Sequence, residues 1–575
     1  MTPPSGSGKT PSVAASDPSP DRSIPVMRAL TLGLGGVLAL LSLWVVVQRF
    51  RYPIDGEWMT GAVRDGVERL RDGQQLYVAP SARFIPFVYP PLYFWVSAFV
   101  ARFCSVFVAC KLVSIAATVA TGWGIVRIAR ALGASPFWSG IAILLHVATY
   151  SLTILFYDLE RVDAFYGAMI VVGLAVLLAR DSLASAIGGG ALLGLAFYAK
   201  QAGLLAFASV VFGLVLARER RRALIVALSG TVVLVAVGAY LELKTGGWFR
   251  YYCLKLPSAH GLRAERISMF FIIDAPKAFA ITAGSLALSV PVLWSFVRHR
   301  RRPEGSTSSD IVLASVVAAA MAASFSFRAH SGGWPNVLVA WLPVGCAATA
   351  IAASRAEEAA KGTRVARLTS LVLLGGVSLQ LLGAMFDPLE LSPNREDLAE
   401  RERFVALVHD LEKQGQVLVT TAGNVTTPSS AHAAALYDIV RAGDHAPADL
   451  LEGLAQRRYA AIFLGLPDEY DCGLPTCNEL SSAIVRNYFV AGRRHERDRT
   501  GTSGYDARPR WLLRPRQTPL PAELTTQEQH DRQRIEKGFA EMKSAESPMD
   551  TEVRPSDEIE ELTAHEVAAR SVHGR

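Results

Sequence analysis

The chain has 575 residues, of which 51% are hydrophobic and only 19% are charged. In soluble globular proteins, about a quarter of the residues are charged. The apolar residues of this chain form blocks of about 20, which is the length that crosses a bilayer. This composition excludes a purely soluble protein and predicts a polytopic membrane protein. The net charge of +7 does not indicate nucleic-acid binding, because the basic residues cluster in short loops beside the apolar blocks, as the positive-inside rule predicts.

The apolar blocks predict about eleven spans after a disordered cytoplasmic leader at residues 1–24, which is rich in Pro, Ser and Gly. The predicted spans are 27–48, 111–130, 137–155, 163–180, 184–200, 203–217, 223–241, 277–297, 311–327, 335–353 and 366–386. The run 91–103 is short and carries Arg102 near its end. We interpret it as a helix that lies on the membrane surface instead of crossing the bilayer.

The basic loops support this topology. With a cytoplasmic amino terminus, alternate connections all carry Arg or Lys and all fall on the cytoplasmic side; these residues are Arg127, Arg130, Arg180, Arg218, Arg220, Arg221, Arg222, Arg298, Arg300, Arg301, Arg302, Arg355, Lys361, Arg364 and Arg367. A further span at 91–109 would place them outside. An odd number of spans puts the carboxy-terminal domain on the extracytoplasmic side of the inner (plasma) membrane.

The first extracytoplasmic loop, 49–110, begins with two acids in the sequence Asp55-Gly56-Glu57. An amphipathic segment, 59–71, follows them. A carboxylate at this depth could act as a general base that takes a proton from an attacking hydroxyl. Alternatively, the acids could cap the surface helix, whose dipole favours negative charge at its start. Ionisable groups at the membrane boundary are costly and usually functional, which favours a catalytic role for Asp55 and Glu57.

A second acidic motif packs four charges between two predicted spans with almost no loop: Asp158, Glu160, Arg161 and Asp163. We predict that Asp163, at the start of a span, is catalytic and that the other three bind substrate. The alternative is a polar turn with an Arg161–Asp158 pair, which would contribute little if exposed.

Three further outer-face features carry candidate substrate-binding residues. Lys200-Gln201 interrupts a long apolar segment and predicts a hairpin; its lysine could neutralise a phosphate or could mark a span end by snorkelling. An aromatic loop, 246–260, ends at His260. A Gly-rich link could hold an anionic lipid phosphate or could be an ordinary turn; its candidates are Arg328, His330 and Asn336.

Beyond the last span, strands alternate with helices, which predicts a small extracytoplasmic α/β domain at 395–515. Its predicted strands include 417–420 and 460–464. Cys472 and Cys477, separated by four residues in a polar loop, would form a disulfide if that loop lies outside the cytoplasm. Residues 516–575 are charged and poor in aromatics, which predicts a disordered tail.

The order of these features resembles the GT-C membrane glycosyltransferases, specifically the glycosyltransferase family 39 group of protein mannosyltransferases and bacterial lipid A aminoarabinose transferases. The resemblance covers residues 27–390. The features that carry it are Asp55-Gly56-Glu57, Tyr89-Pro90-Pro91-Leu92-Tyr93, Arg161-Val162-Asp163, Lys200-Gln201, the loop 246–260 and the turn 330–336. In the family the first two acids are adjacent or nearly so, whereas Gly56 separates them here, which leaves the base assignment open between Asp55 and Glu57.

The resemblance implies a catalytic transmembrane domain at 25–390 that moves a sugar, with inversion, from a polyprenyl-phosphate donor to a lipid, polysaccharide or protein acceptor. Asp55 or Glu57 would be the base, Asp163 would orient acceptor or base, and Lys200, Arg328 or His330 would stabilise the departing phosphate. The paired acids also permit a divalent metal, Mg or Mn, although their spacing does not require one.

The alternative from another functional class is a transporter or flippase for a lipid-linked sugar. Such proteins usually have paired halves with broken helices near the midplane. This sequence has no such symmetry, and its charges cluster at one face.

Overall fold

The structure is a computed structural model that describes residues 22–299, 305–330, 332–420, 432–465, 474–494, 509–522, 524–529 and 560–561. Most of the predicted leader and tail, together with Cys472, lie outside these ranges.

A bundle of helices forms the amino-terminal two thirds of the chain. It begins with α1 Ser23–Arg51, α2 Thr60–Arg71, α3 Leu92–Val100, α4 Val106–Ala131, α5 Pro136–Leu152, α6 Val162–Ala179, α7 Leu183–Ala199, α8 Gly203–Leu216 and α9 Arg220–Thr245. An irregular connection follows, with α10 Trp248–Arg250, α11 Leu256–Ser258, α12 Ala264–Met269 and α13 Ala275–Lys277, and with π-helical turns at Tyr251–Lys255 and Phe270–Asp274. The bundle ends with α14 Phe279–His299, α15 Ser308–Ala329, a 3-10 turn at Pro335–Ala340, α16 Leu342–Ala360 and α17 Ala366–Gly383.

The helices confirm a polytopic membrane protein. Within the described residues, seven are long and apolar enough to cross a membrane (α1, α4, α6, α9, α14, α15 and α17), and α5, α7 and α8 are shorter apolar helices. Each of the eleven predicted spans coincides with a helix. The count of eleven stays a prediction, because α16 carries three charges in its second half (Arg355, Glu357 and Glu358) and meets neither description.

The predicted surface helix at 91–103 is present as α3. Its nine residues rise only about 14 Å, which is too short to cross a hydrocarbon core of about 30 Å. The amphipathic segment after the acids forms α2, and the buried face of that helix includes Val63 and Val67.

The carboxy-terminal elements are α18 Pro388–Leu391, α19 Arg395–Glu412, β1 Gln416–Val419, α20 Ala433–Arg441, α21 Ala448–Ala455, β2 Tyr459–Leu464, α22 Pro475–Asn487, β3 Tyr488–Arg493, β4 Trp511–Pro515 and β5 Glu560–Glu561. The strand order is β1-β2-β4-β3-β5, with β1 and β2 parallel and the other pairs antiparallel. The predicted α/β character is therefore confirmed. Cys477 is disulfide-bonded; the disulfide partner predicted for it, Cys472, is outside the described ranges.

The carboxy-terminal sheet and the loop between α1 and α4 share one hydrophobic core. Val63 of α2 and Tyr77 belong to the same buried cluster as Ile439 of α20 and Tyr488 of β3. Polar contacts reinforce this packing, since His432 Nε2 lies 2.8 Å from the Trp58 carbonyl oxygen and the Asp449 carboxylate accepts from the Ala82 amide at 3.0 Å. The domain is thus packed beside the first acidic motif.

Candidate active site

The two acidic motifs meet where several helices end. The first motif follows the carboxy-terminal end of α1, and the second leads into the start of α6, which packs against α4 and α7. Gly56 allows the close approach, because a Cβ at this position would stand 2.7 Å from Leu159 Cδ2. A larger residue between the two acids would therefore have to displace the side chain of Leu159, which belongs to the second motif.

Arg161 joins the two motifs. One guanidinium nitrogen, Nη1, donates to Glu57 Oε2 at 2.9 Å, and Nη2 donates to the Tyr89 hydroxyl at 2.9 Å. Its Nε stands 3.7 Å from Asp163 Oδ2. The Glu57 carboxylate also accepts from the Met59 amide at 3.0 Å, so the start of α2 holds it in place.

Asp163 continues the chain of contacts toward α7 and the 3-10 turn. Its Oδ1 accepts from Lys200 Nζ at 2.6 Å and from Asn336 Nδ2 at 3.1 Å. Its Oδ2 is buried and has no hydrogen-bond partner. Glu57, Arg161, Asp163, Lys200 and Asn336 therefore form one connected group, which we call the central network.

Asp55 lies beside the central network and has a partner of its own. Arg64, near the start of α2, donates to Asp55 Oδ1. The Thr60 hydroxyl also approaches Oδ1, at 3.5 Å. Among the described residues no hydrogen bond reaches Oδ2 of Asp55. One carboxylate oxygen is thus anchored, while the other retains its capacity to accept a proton.

A second group of charges lies behind the motif. Arg49 Nη1 donates to Asp158 Oδ1 at 3.0 Å, and the Tyr150 hydroxyl donates to the same oxygen at 2.7 Å. Lys111 Nζ stands 3.6 Å from Glu160 Oε1 and 3.8 Å from Asp158 Oδ2. Asp158 and Glu160 are fully enclosed here, and their predicted role in substrate binding stays a prediction.

Sequence reasoning missed five residues of this site: Arg49, Arg64, Tyr89, Lys111 and Tyr150. Arg49 and Lys111 stand at the ends of apolar blocks, where a long basic side chain can simply mark a span end by snorkelling. A basic residue at the end of a span that adjoins an acidic motif is the sequence signal that could have identified Arg49 and Lys111.

The neighbouring carboxylates keep the cations charged. Burial is the largest single influence and would lower the pKa of Arg64, Arg161 and Lys200, but their neighbours together, led by Asp55, Glu57 and Asp163, respectively, outweigh it, so that each pKa is raised. A cation whose pKa is raised loses its stabilising effect only as the pH rises through that value. All three therefore remain protonated at neutral pH.

The central network has one partly accessible edge. The side chain of Lys200 is 16% exposed, whereas that of its partner Asp163 is 1% exposed. Lys200 Nζ also lies 5.6 Å from the centre of the Tyr89 ring. Beside it, Gln201 donates to the carbonyls of Val88 and Cys253, as expected for the predicted hairpin.

The structure does not bring the remaining candidates into contact with the central network. Arg328 donates to Asp274 Oδ2 at 2.8 Å and to the Gly333 carbonyl at 2.7 Å. His330 Nδ1 lies 3.1 Å from the His260 carbonyl oxygen, and His260 Nε2 lies 2.8 Å from Asp438 Oδ1 of the carboxy-terminal domain. Their predicted roles in substrate binding stay untested, and these contacts lead us to expect a structural role for Arg328 and His260 instead.

A divalent metal does not fit the paired acids as they are arranged. Arg64 engages Asp55 Oδ1 and Arg161 engages Glu57 Oε2, so a metal would have to bind beside two guanidinium groups, whose positive charge would repel it. Within the part of the chain that the structure describes, no group of three or more His, Cys, Asp or Glu side chains could hold a metal ion. We assign no step to a metal.

No family model and no curated protein match the chain. Solved structures do show likenesses to it. It is similar to ArnT from Cupriavidus metallidurans bound to undecaprenyl phosphate, with 12% identity, a TM-score of 0.49 and coverage of 84% of this chain and 97% of that one. The apo state of the same protein gives 14% identity, a TM-score of 0.48 and the same coverage. The Archaeoglobus fulgidus oligosaccharyltransferase gives 11% identity and a TM-score of 0.44, over 83% of this chain and 74% of that one. Likenesses this distant assign no role to any residue.

Proposed function

We propose that the chain is a membrane glycosyltransferase that transfers a sugar from a polyprenyl-phosphate donor to an acceptor hydroxyl, with inversion. The observation that carries this proposal is the central network, in which Arg161 joins the two acidic motifs and Lys200 stands at an accessible edge. The transfer needs a carboxylate for the acceptor proton and cations for the departing phosphate, and the site supplies both within one buried cluster. The motif order that resembles the GT-C enzymes supports the same reaction.

Asp55 is the better candidate for the base. Its Oδ1 is oriented by Arg64 and Thr60 and its Oδ2 is open, whereas Glu57 Oε2 already accepts from Arg161 and from a backbone amide. In the proposed step, the acceptor oxygen attacks the anomeric carbon and passes its proton to Asp55 Oδ2. The bond from that carbon to the phosphate oxygen breaks on the opposite face.

Lys200 and Arg161 are the candidates for stabilising the departing phosphate. Preorganised cations aimed at developing charge supply a large part of many catalytic effects. Asp163 and Glu57 hold these two cations in position, so that little reorganisation is needed when negative charge develops. The donor phosphate would approach from the accessible side of Lys200.

The extracytoplasmic face is the side we propose for this chemistry. Cys477 is disulfide-bonded, and disulfides persist in oxidising compartments outside the cytoplasm. The opposite end of the bundle carries basic residues such as Arg222 and Arg355, which the positive-inside rule places in the cytoplasm.

The test is turnover of a panel of polyprenyl-phosphate monosaccharides by the purified protein in detergent. Asp55→Asn should lower the rate by about 10²–10⁴-fold, the range for loss of a general base. Asp72→Asn is the matched control, because Asp72 is an exposed acid just after α2 that pairs with Arg71. Full turnover in Asp55→Asn would refute the base assignment. Specific donor binding without turnover of any donor would favour the transporter alternative.

A further inference from the structure

The carboxy-terminal sheet has an open pocket of about 700 Å³ at one edge. Because β1 and β2 run parallel while β4 runs antiparallel to β2 and β3 antiparallel to β4, the starts of β1, β2 and β3 and the end of β4 meet at this edge. They bring together three arginines, two glutamines and one aromatic ring: Arg457, Arg458, Arg514, Gln414, Gln517 and Phe489.

Two of these arginines lack a countercharge. Arg457 Nη1 donates to the Arg516 carbonyl at 3.0 Å, and Arg514 Nη1 donates to the Ala460 carbonyl at 3.1 Å and to Gln414 Oε1 at 3.2 Å. All of these acceptors are neutral. Among the described residues no carboxylate lies within ion-pair distance of either guanidinium, although both side chains are only partly exposed.

The guanidinium groups also retain donors. Each arginine has five N–H donors in a fixed fork, and the contacts above use only Nη1 of each. Arg457 has a backbone φ of 54°, in the left-handed region where the residue after a helix is usually Gly or Asn. Its contact with the Arg516 carbonyl fixes it near Arg514.

The remaining lining suits a sugar. Phe489 is 39% exposed, and a flat aromatic ring at the rim of a polar pocket offers a surface for the apolar face of a saccharide. Gln414 and Gln517 carry amide groups, which can both donate to and accept from hydroxyls. We propose that this pocket is a binding site for a phosphate-bearing saccharide, with the Arg457 and Arg514 forks on the phosphate and Phe489 against the sugar ring.

The proposal does not rest on the transferase reaction, because none of these residues belongs to the central network. It favours a sugar phosphate that is soluble or carried on a polymer over a lipid headgroup. Asp449, at the start of α21, contacts the first loop at the Ala82 amide, whereas Arg457 follows the opposite end of that eight-residue helix. The pocket therefore lies at the end of α21 that is remote from this contact.

The test is calorimetric titration of the full chain in detergent with glucose 1-phosphate, glucose and inorganic phosphate. A Lys200→Met background removes the phosphate-facing lysine of the central network. We expect binding of glucose 1-phosphate, at least tenfold weaker in Arg457→Gln/Arg514→Gln and unchanged in the control Arg71→Gln, whose arginine is exposed and paired with acids. Phe489→Ala should weaken the binding of glucose 1-phosphate but leave the binding of inorganic phosphate unchanged.

Unchanged binding of glucose 1-phosphate in the double variant would overturn the site. If inorganic phosphate binds as tightly as glucose 1-phosphate and Phe489→Ala has no effect, the saccharide specificity is overturned. If the double variant does not fold, as judged by its thermal transition, Arg514→Lys provides the test. It keeps the charge but loses the bidentate fork, and full affinity would contradict the proposal. Vesicles that contain phosphatidylinositol 4-phosphate should not displace glucose 1-phosphate; displacement would refute the soluble or polymer-borne assignment.

Discussion

Two groups of ionisable side chains at the same end of the bundle differ in how completely they are paired. In the central network, Arg161 Nε and Asp163 Oδ2 face each other at 3.7 Å and have no hydrogen-bond partner. Arg328, in contrast, directs Nε to Asp274, Nη1 to the Gly333 carbonyl and Nη2 to Met269 Sδ. The first group is incompletely hydrogen-bonded and reaches a partly accessible edge at Lys200, whereas the second is closed by its own partners. Burial alone therefore does not distinguish the two groups.

The largest effect should follow from breaking the link between the motifs. Arg161→Met leaves Glu57 and Asp163 without their shared cation, and removing one partner of a buried pair costs about 3–5 kcal/mol. We expect this loss in the free energy of unfolding, together with loss of turnover. The measurements are denaturant unfolding in detergent and donor turnover.

The control for this change is Arg71→Met, since Arg71 lies in an exposed pair with Glu68. Exposed pairs contribute about 0–1 kcal/mol. A double-mutant cycle with Glu57→Gln should show strong coupling to Arg161. Additive effects of the two changes would separate the motifs and remove the basis of the central network.

A smaller effect is expected at the accessible edge. Lys200→Met should lower turnover by about 10²-fold, within the range seen when one preorganised electrostatic group is removed. The cost in stability should be lower than for Arg161, because Lys200 is partly exposed and Asn336 continues to donate to Asp163. Steady-state kinetics with varied donor would measure the change.

The matched variant for Lys200 is Lys255→Met. Lys255 is also a lysine with a carboxylate partner, Asp444, but its side chain is 54% exposed and it contacts the carboxy-terminal domain. Its removal should leave turnover unchanged. Equal losses in the two variants would mean that the general surface charge matters, and not the position of Lys200.

The closed pair should behave in the opposite way. Arg328→Met should lower the free energy of unfolding by about 3–5 kcal/mol, because it leaves Asp274 buried and uncompensated. Turnover per folded molecule should remain unchanged. Arg328→Met/Asp274→Leu, which removes both charges, should recover much of the stability. A collapse of turnover in well-folded Arg328→Met would bring Arg328 into the reaction and contradict the distinction between the two groups.

The sequence predicted which end of the bundle carries the site, because successive spans must return to the same side of the bilayer. Glu57 and Arg161 are 104 residues apart, yet both follow from this alternation. The pairing itself could not be predicted. Whether Arg161 faces Glu57 or Asp158 depends on the rotation of α6 and on the loop before it, and hydropathy does not encode either.

The same limit explains why the two groups could not be separated beforehand. Arg328 and Lys200 are both basic residues at the ends of helices, and composition does not distinguish them. Asp274, the partner that closes the Arg328 site, lies in a π-helical turn within a segment that shows no regular periodicity. Arg64 was likewise hidden, since a charged residue on an amphipathic helix is expected to face solvent.

The smallest effect should come from the contact between His260 and Asp438. The two side chains are 25% and 12% exposed, and a pair of this kind contributes at most about 1 kcal/mol. His260→Ala should therefore shift the thermal transition only slightly and leave turnover unchanged, as should Asp438→Asn. Because His260 touches the carboxy-terminal domain while its carbonyl lies near His330, a large loss of turnover would show that domain docking controls the site. The difference between the central network and the closed Arg328 pair would then depend on the carboxy-terminal domain as well as on the bundle.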